Sequence, residues 1–158
     1  MTNVDYSGLD ELDARFADAL RARPGLRRAM HAEVARALET EVRDQIVMTG
    51  IRRRTGRLEG WQQGRTGSGG GYAAVRPIGS AEGGGTGRNS EGAITNYLEH
   101  GHKTRRPTGA AKRRKRGGKR QGFARGHYFY EAARRGSQRT AFAAANRYAE
   151  RMAERLGD

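Results

Sequence analysis

Residues 26–50 read LRRAMHAEVARALETEVRDQIVMTG, and this stretch decides the class of the fold. An apolar side chain returns at every fourth position, which places these side chains on one face of an α-helix. The stripe consists of Leu26, Met30, Val34, Leu38, Val42 and Ile46. Because a strict four-residue step drifts around the helix axis, the stripe should wind along it. Gly50 is a typical helix stop, so we predict a long amphipathic helix that ends there and faces the core.

A second amphipathic helix is predicted just upstream, over residues 7–20. Ser7 and Asp10 fit a capping box at its start. Pro24 has no backbone N–H to donate, so it suits the first turn of a helix better than its interior. The sequence therefore predicts two N-terminal helices that are separated at Pro24. The apolar stripe of the first helix consists of Leu9, Leu12, Phe16 and Leu20.

Short, partly alternating runs replace the helical periodicity after residue 57. Residues 57–62 and 72–78 are predicted to form two antiparallel strands, joined by the glycine-rich residues 64–71. Residues 79–92 are again rich in glycine and are predicted to be a linker. A short ordered segment is expected at residues 93–100.

The last predicted element is a long helix from about residue 127 to residue 156. Together the elements predict a single domain, residues 1–158, of the α+β class. Two N-terminal helices and a long C-terminal helix are expected to pack on a small antiparallel sheet, with long glycine-rich and basic loops. The side chains expected to be mostly buried are Phe16, Val34, Leu38, Trp61, Val75, Tyr148 and Met152.

The strongest functional signal is a run of eleven basic residues, without an acidic one, from Lys103 to Arg125. It supplies +11 of the chain's net charge of +14, so the positive charge is a local feature. We expect a flexible loop at residues 103–125 that binds a polyanion. The first candidate is the phosphate backbone of nucleic acid, and the second is an anionic membrane surface. The candidate nucleic-acid-binding residues are Lys103, Arg105, Arg106, Lys112, Arg113, Arg114, Lys115, Arg116, Lys119, Arg120 and Arg125.

The basic run contains no recognised base-reading motif, so its contacts with nucleic acid should be independent of base sequence. Three aromatic residues border the run and the last helix, where we expect them to anchor the helix rather than stack on bases. They are Phe123, Tyr128 and Tyr130. No apolar run is long enough to cross a bilayer, and we expect no membrane partner.

Residue patterns that carry catalysis are sparse. His100 and His102, together with Glu99, form the one cluster that suggests a metal-dependent nuclease, but a His-x-His pair alone is a weak signal. Serine and threonine residues have no identifiable base beside them. We therefore predict no catalytic, metal-binding or cofactor-binding residues, and no enzyme activity.

Three short phrases follow one another along the chain. The long helix is followed by TGRL at residues 55–58, then NYLEHG occurs at residues 96–101, and GHYFYEAA at residues 126–133 opens the last helix. In this order they resemble the tail-completion proteins of long-tailed bacteriophages, also called head–tail joining or neck proteins. The resemblance covers roughly residues 7–156. The long basic loop and the glycine-rich hairpin connection depart from the family pattern, as does Gly126-His127, where the family often has Arg-Pro.

The resemblance implies an α+β subunit that assembles into a ring, usually six-fold, between capsid and tail in the virion. The implied neighbours are copies of the same chain, other neck proteins, the head connector, and the tail terminator or tail tube. Assembly would take place in the host cytoplasm, and DNA would pass through the ring. Candidate residues for subunit or partner interfaces are Tyr97, Leu98, His100, Tyr128 and Phe129.

Three functional hypotheses therefore stand. The first is a structural ring subunit at the phage head–tail connection, without catalysis. The second is a small basic protein that binds nucleic acid independently of sequence, as a monomer or dimer. The third is the metal-dependent nuclease built on Glu99, His100 and His102.

Overall fold

The structure is a computed structural model, and it describes residues 7–51, 57–103 and 122–157, with side chains from residue 9 onward. The chain divides into two compact units. The first unit comprises Met1–Glu41, Gln63–Arg76 and Arg134–Asp158, and the second comprises Val42–Gln62 and Pro77–Ala133. The expectation of a single domain stays a prediction. The fold is mostly helical with two small two-stranded sheets, which agrees with the α+β class.

Helix α1 is one continuous helix, Ser7–Met48, with Pro24 inside it. The prediction of two helices separated at Pro24 is therefore wrong. A proline inside a helix removes one backbone hydrogen bond, but the first unit holds α1 on both sides of it. Asp18 accepts a hydrogen bond from Arg155 at 2.7 Å, and Glu33 pairs with Arg147. The predicted end is confirmed, because α1 stops at Met48 and Gly50 has a positive φ of 69°.

The first strand begins later than predicted. Residues Arg57–Gly60 form a short helical turn, α2, and β1 spans Gln62–Thr66. The side chain of Gln62 donates to the carbonyl of Leu58 at 3.1 Å, which stabilises the turn. Strand β2, Ala73–Pro77, lies where the second strand was predicted. Hydrogen bonds from Gly67 to Tyr72 and from Ile78 to Trp61 close the two ends of an antiparallel hairpin.

Gly64 fixes how closely β1 approaches α1 within the first unit. Its N–H donates to Glu39 Oε2 at 2.7 Å. A Cβ at this position would lie 2.3 Å from the carbonyl oxygen of Ala35, which is closer than real Cβ atoms come. The glycine is therefore required by the contact between strand and helix.

The glycine-rich residues 79–92 are organised by acidic side chains rather than left without structure. They contain two short 3₁₀ turns, Ser80–Glu82 and Gly87–Asn89. The N–H of Gly79 donates to the Glu82 carboxylate at 2.8 Å, and that of Gly85 donates to the Glu91 carboxylate at 2.6 Å. The ordered segment predicted at residues 93–100 is helix α3, Glu91–His100, capped by Ser90, whose hydroxyl accepts from Ala93 N–H.

Strands β3, Gly101–Lys103, and β4, Phe123–Arg125, follow α3 and form the second sheet. The predicted continuous last helix is two helices: α4, Phe129–Gly136, and α5, Gln138–Leu156. The interruption falls at Gly136 and Ser137, where the Ser137 hydroxyl donates to the carbonyl of Arg134 at 3.0 Å. Glycine has a low helix propensity, and a serine side chain that binds the backbone competes with helical hydrogen bonding.

The two units differ in what they bury. Within the described residues, the fully buried apolar side chains of the first unit are all alanines: Ala19, Ala35 and Ala144. The second unit buries larger side chains: Val42, Ile46 and Phe129, together with Ala133. Alanine allows close helix packing but removes little apolar area from water.

The predicted core is confirmed only in part. Phe16 is 48% exposed, so its assignment to the core is wrong, because about half of its surface remains in water. The other six predicted core residues are partly buried and none is fully buried: Val34, Leu38, Trp61, Val75, Tyr148 and Met152.

Candidate nucleic-acid interface

The two ends of the basic run are held together by a two-stranded ribbon in the second unit. Strands β3 and β4 pair antiparallel, with Gly101 opposite Arg125, His102 opposite Ala124 and Lys103 opposite Phe123. The predicted loop at residues 103–125 is therefore too long at both ends. Lys103 at one end of the loop and Phe123–Arg125 at the other belong to the ribbon, because they pair across it.

One face of the ribbon combines two cations with an aromatic ring. Paired residues of a sheet lie on the same face, and alternate residues along each strand share that face. Lys103, Phe123 and Arg125 therefore lie together, and all three are exposed. The Phe123 ring, which is 64% exposed, lies over Gly101, since a Cβ there would be 2.8 Å from its Cε1 atom. We call these three residues the ribbon face.

Two glycines make the base of the ribbon possible. Gly101 ends α3 with a positive φ of 81°, and a Cβ there would lie 2.3 Å from the carbonyl oxygen of Ala124. Gly126 follows β4, and a Cβ there would lie 2.2 Å from the carbonyl oxygen of Glu99. The NYLEHG and GHYFYEAA phrases thus meet at backbone contact distance within the second unit.

The opposite side of the ribbon base carries further aromatic groups. The Tyr97 and His102 rings lie 5.4 Å apart, centroid to centroid, at a tilt of 47°. Tyr128 is exposed and has a φ of 55°, an uncommon conformation for a residue with a side chain. Its N–H donates to the carbonyl of Glu99 at 3.1 Å, and its own carbonyl accepts from Ala132 in the first turn of α4.

The carboxylate of Glu99 is a helix cap. Glu99 is buried and accepts hydrogen bonds from the N–H groups of Tyr130 at 3.1 Å and Glu131 at 3.3 Å. These groups belong to the first turn of α4, whose N–H groups have no partner within the helix and favour a negative charge nearby. The carboxylate therefore links α3 to α4 and does not point toward a metal site with the exposed His100 and His102. No cluster of three potential metal ligands occurs in the ranges that the structure describes.

A buried polar cluster lies beside this cap in the second unit. The Tyr130 hydroxyl donates to Gln62 Oε1, and Gln62 Nε2 donates to Thr95 Oγ1 at 3.3 Å. The same Thr95 oxygen accepts from Trp61 Nε1 at 3.1 Å. Gln62 and Thr95 are almost completely buried, and their partners satisfy the polar groups that burial would otherwise penalise.

The position of Tyr130 changes its acidity. Burial raises the pKa of the Tyr130 hydroxyl well above its usual range, and the nearby Glu99 carboxylate raises it further. Both effects disfavour a phenolate, because removing water and adding a negative neighbour penalise a second negative charge. Tyr130 therefore remains a neutral hydrogen-bond donor that anchors α4, as expected from the sequence.

The structure describes two of the eleven predicted nucleic-acid-binding residues. Lys103 and Arg125 are exposed on the ribbon face. The other nine lie outside the described residues: Arg105, Arg106, Lys112, Arg113, Arg114, Lys115, Arg116, Lys119 and Arg120. Thr55 and Gly56 of the TGRL phrase also lie outside them.

The five predicted interface residues divide into exposed and buried ones. Tyr97, His100 and Tyr128 are exposed, and Leu98 is partly buried. Phe129 is 0% exposed, and its place at an interface stays a prediction. The ring of Phe129 packs 4.9 Å from that of Tyr130, centroid to centroid, inside the second unit.

A shallow cavity of about 600 Å³ lies on the β1–β2 hairpin of the first unit. Arg65, Tyr72 and Arg76 line it, with the hydroxyl groups of Thr66 and Ser68. Among the described residues that line it there is no carboxylate or histidine, so the cavity contains no pair of groups suited to acid–base chemistry.

Comparison of the chain with protein-family models, with curated proteins and with solved structures finds no match. None of the helices in the described ranges combines the length and apolar character that a membrane crossing needs. Sequence reasoning missed the ribbon and the polar cluster. The two strands of the ribbon are only three residues long and show no strand pattern in the sequence. Gln62, Thr95 and Tyr130 are too far apart in the chain to reveal their contact.

Proposed function

We propose that this protein is a structural subunit of the head–tail connection of a long-tailed bacteriophage. Copies assemble into a ring, with six-fold symmetry expected, and the basic run of each copy contacts the phosphate backbone of DNA passing through. The observation that carries the proposal is the ribbon face: Lys103, Phe123 and Arg125 are exposed together where the run of eleven basic residues begins and ends.

The charge of the run supports phosphate contact. Duplex DNA carries one negative charge per about 1.7 Å of its axis, and basic side chains that neutralise phosphates release bound counterions. The ribbon brings Lys103 and Arg125, at the two ends of the run, onto one face, which raises the positive potential there. No base-reading motif is present in the sequence, so the contacts suit a genome of any sequence moving through a channel.

The contacts of Glu99 support a structural role over the nuclease hypothesis. Its carboxylate is buried and is used by two backbone N–H groups of α4, while His100 and His102 are exposed. A metal site would need that carboxylate to turn away and leave the helix end without a cap. The cap and the close approach of Gly126 also give a physical reason for the phrases that resemble the neck family.

Salt-dependent DNA binding tests the phosphate contacts. For about five phosphate contacts per subunit, the slope of log K against log salt should be roughly −4 to −5. Replacing Arg113, Arg114, Lys115 and Arg116 with alanine should reduce that slope by about 3 to 4. The matched control removes the same charge elsewhere, by alanine at the exposed Arg21, Arg23, Arg36 and Arg88, and should leave the slope unchanged. Equal losses in the two variants would show that only total charge matters.

Electron microscopy of the full chain separates the ring from the second hypothesis. Annular particles, alone or on linear DNA, and incorporation into heads or tails support the neck subunit. Monomers bound along the duplex without annular particles would instead favour the small accessory protein that binds nucleic acid. Partners such as other neck proteins, the head connector and the tail would then have no place in the function.

A further inference from the structure

The first unit exposes two separate apolar stripes on helices α1 and α5. On α1 the stripe consists of Leu9, Leu12, Phe16 and Leu20, with Leu9 60% and Leu20 62% exposed. On α5 it consists of Phe142, Ala145 and Ala149, with Phe142 72% exposed. The spacing of three and four residues places each set on one helix face. Because this unit buries only alanines completely among its described apolar residues, much apolar surface remains in water.

We infer that the α1 stripe of one copy packs on the α5 stripe of a second copy of this chain. The inference rests on the ring proposed above and names the surfaces that would form it. Size complementarity supports the pairing, because large leucine and phenylalanine side chains fit against the shallow surface that alanines leave on a helix. Ala145 and Ala149 provide that surface next to Phe142.

Charge complementarity selects this pairing over contact between two α1 stripes. Between Leu9 and Leu20 the chain has four acidic residues and one arginine, a net charge of −3. Within the chain Glu11 already pairs with Arg15, and Asp18 with Arg155, so Asp10 and Asp13 carry the remaining charge of −2. Over residues 138–149 of α5 the charged residues are Arg139 and Arg147, and Arg147 pairs with Glu33 of the same chain, which leaves the positive charge of Arg139. Two α1 stripes would bring like charges together, whereas α1 against α5 brings opposite charges together. The exposed Asp13 lies within the first stripe, and the exposed Arg139 lies three residues before Phe142.

A contact between two different surfaces is heterologous, so it continues from copy to copy until the chain of subunits closes. The α1 stripe is about 16 Å long and the α5 stripe is about 10 Å long, from the helical rise per residue. One such contact is small compared with a stable interface of about 800 Å² per partner. Closure of a ring strengthens weak contacts, because every subunit is then held on two sides.

Two charged variants test the inference by sedimentation velocity on the full chain. Phe16→Asp and Phe142→Asp should each weaken self-association at least tenfold, while melting curves stay close to those of the unaltered protein. Ala14→Asp is the matched control, because Ala14 is exposed but lies two residues from Phe16 and so faces elsewhere. It should associate as the unaltered protein does.

Mixing the two variants identifies which surfaces meet. Each variant keeps one intact stripe, so an equimolar mixture should form a one-to-one dimer that grows no further, although neither variant associates alone. An unaltered protein that stays monomeric at its highest soluble concentration would overturn the inference. Rings that persist in Phe16→Asp would also overturn it while leaving the ring itself in place. The salt-dependent DNA test is independent of both results, so failure of the proposed function can be told apart.

Discussion

The two halves of α1 carry apolar stripes of the same kind and use them in opposite ways. In the C-terminal half, Val42 and Ile46 are each 2% exposed. In the N-terminal half, Leu9, Phe16 and Leu20 leave about half or more of their surface in water. Helical periodicity therefore identifies side chains that share a face, but it does not reveal whether the partner for that face lies in the same chain.

The largest effect is expected at the buried half. Replacing Ile46 with Asp would place an unpaired charge in the second unit and should lower the free energy of unfolding by about 4 kcal/mol or more. Val47→Asp is the matched control. The Val47 side chain lies next to Ile46 in the sequence but is 53% exposed, so this position should tolerate the charge. Chemical denaturation measures both. Similar midpoints for the two variants would mean that the halves of α1 do not differ as described.

A smaller effect is expected where β1 touches the middle of α1. Gly64→Ala forces a Cβ against the carbonyl oxygen of Ala35, and such overpacking should cost about 1–3 kcal/mol. At Gly71 nothing lies within 4 Å of an added Cβ, so Gly71→Ala should be neutral or slightly stabilising. Thermal melting would compare them. A neutral Gly64→Ala would show that the hairpin can move away from α1 at little cost.

The third test concerns the buried polar cluster in the unit that contains Ile46. Tyr130→Phe removes the hydrogen bond to Gln62 and should cost about 1 kcal/mol at neutral pH. Because the fold raises the pKa of Tyr130, the unfolded state loses this proton first as pH rises. Stability should therefore fall above the usual tyrosine pKa of about 10, by at most about 1.4 kcal/mol per pH unit before solvent screening.

The Tyr130→Phe variant should lack that part of the alkaline loss. The measurement is the denaturation midpoint of the unaltered protein and of the variant between neutral and alkaline pH. Parallel profiles for the two proteins would show that the hydroxyl is not kept neutral by the fold.

The smallest effect on the stability of the isolated subunit is expected at the exposed stripe in the N-terminal half of α1. Leu20→Asp should change the free energy of unfolding by less than about 0.5 kcal/mol, although it should impair self-association. Its neighbour Ala19 is 3% exposed, so Ala19→Asp should unfold at clearly lower denaturant. Equal behaviour of these adjacent variants would mean that the Leu20 face of α1 is not exposed as described.

The parts of the fold that depend on local sequence could be predicted, whereas those that depend on distant contacts could not. The stripe of residues 26–46 and the stop at Gly50 predict the end of α1, because local spacing and glycine conformation act within a few residues. Pro24 misled the prediction, since α1 continues through it, and Asp18 and Glu33 on its two sides contact residues of α5 that lie more than a hundred positions away in the chain. The same limit explains Phe16, whose exposure depends on what packs against it.

In the candidate nucleic-acid interface, too, local features could be predicted and contacts between distant residues could not. The cationic run could be predicted because charge is visible in the sequence. The ribbon could not, because Gly101–Lys103 and Phe123–Arg125 are separated by the run itself and are too short to show a strand pattern. Strand β1 was misplaced for a related reason. Its sequence, QQGRT, has low strand propensity, and its position depends on contacts with α1.

The pairing of Lys103 with Phe123 makes the intervening nineteen residues an exchangeable insert. Their two attachment points lie side by side, so the rest of the chain need not adjust to the length of the insert. Lengthening such an insert is inexpensive, since doubling a loop costs only about 0.6 kcal/mol in closure entropy. The ribbon and the helices thus form a scaffold, and the residues between Lys103 and Phe123 are its variable insert. The number of basic residues in this insert can therefore change by insertion or deletion while the helices keep their sequence.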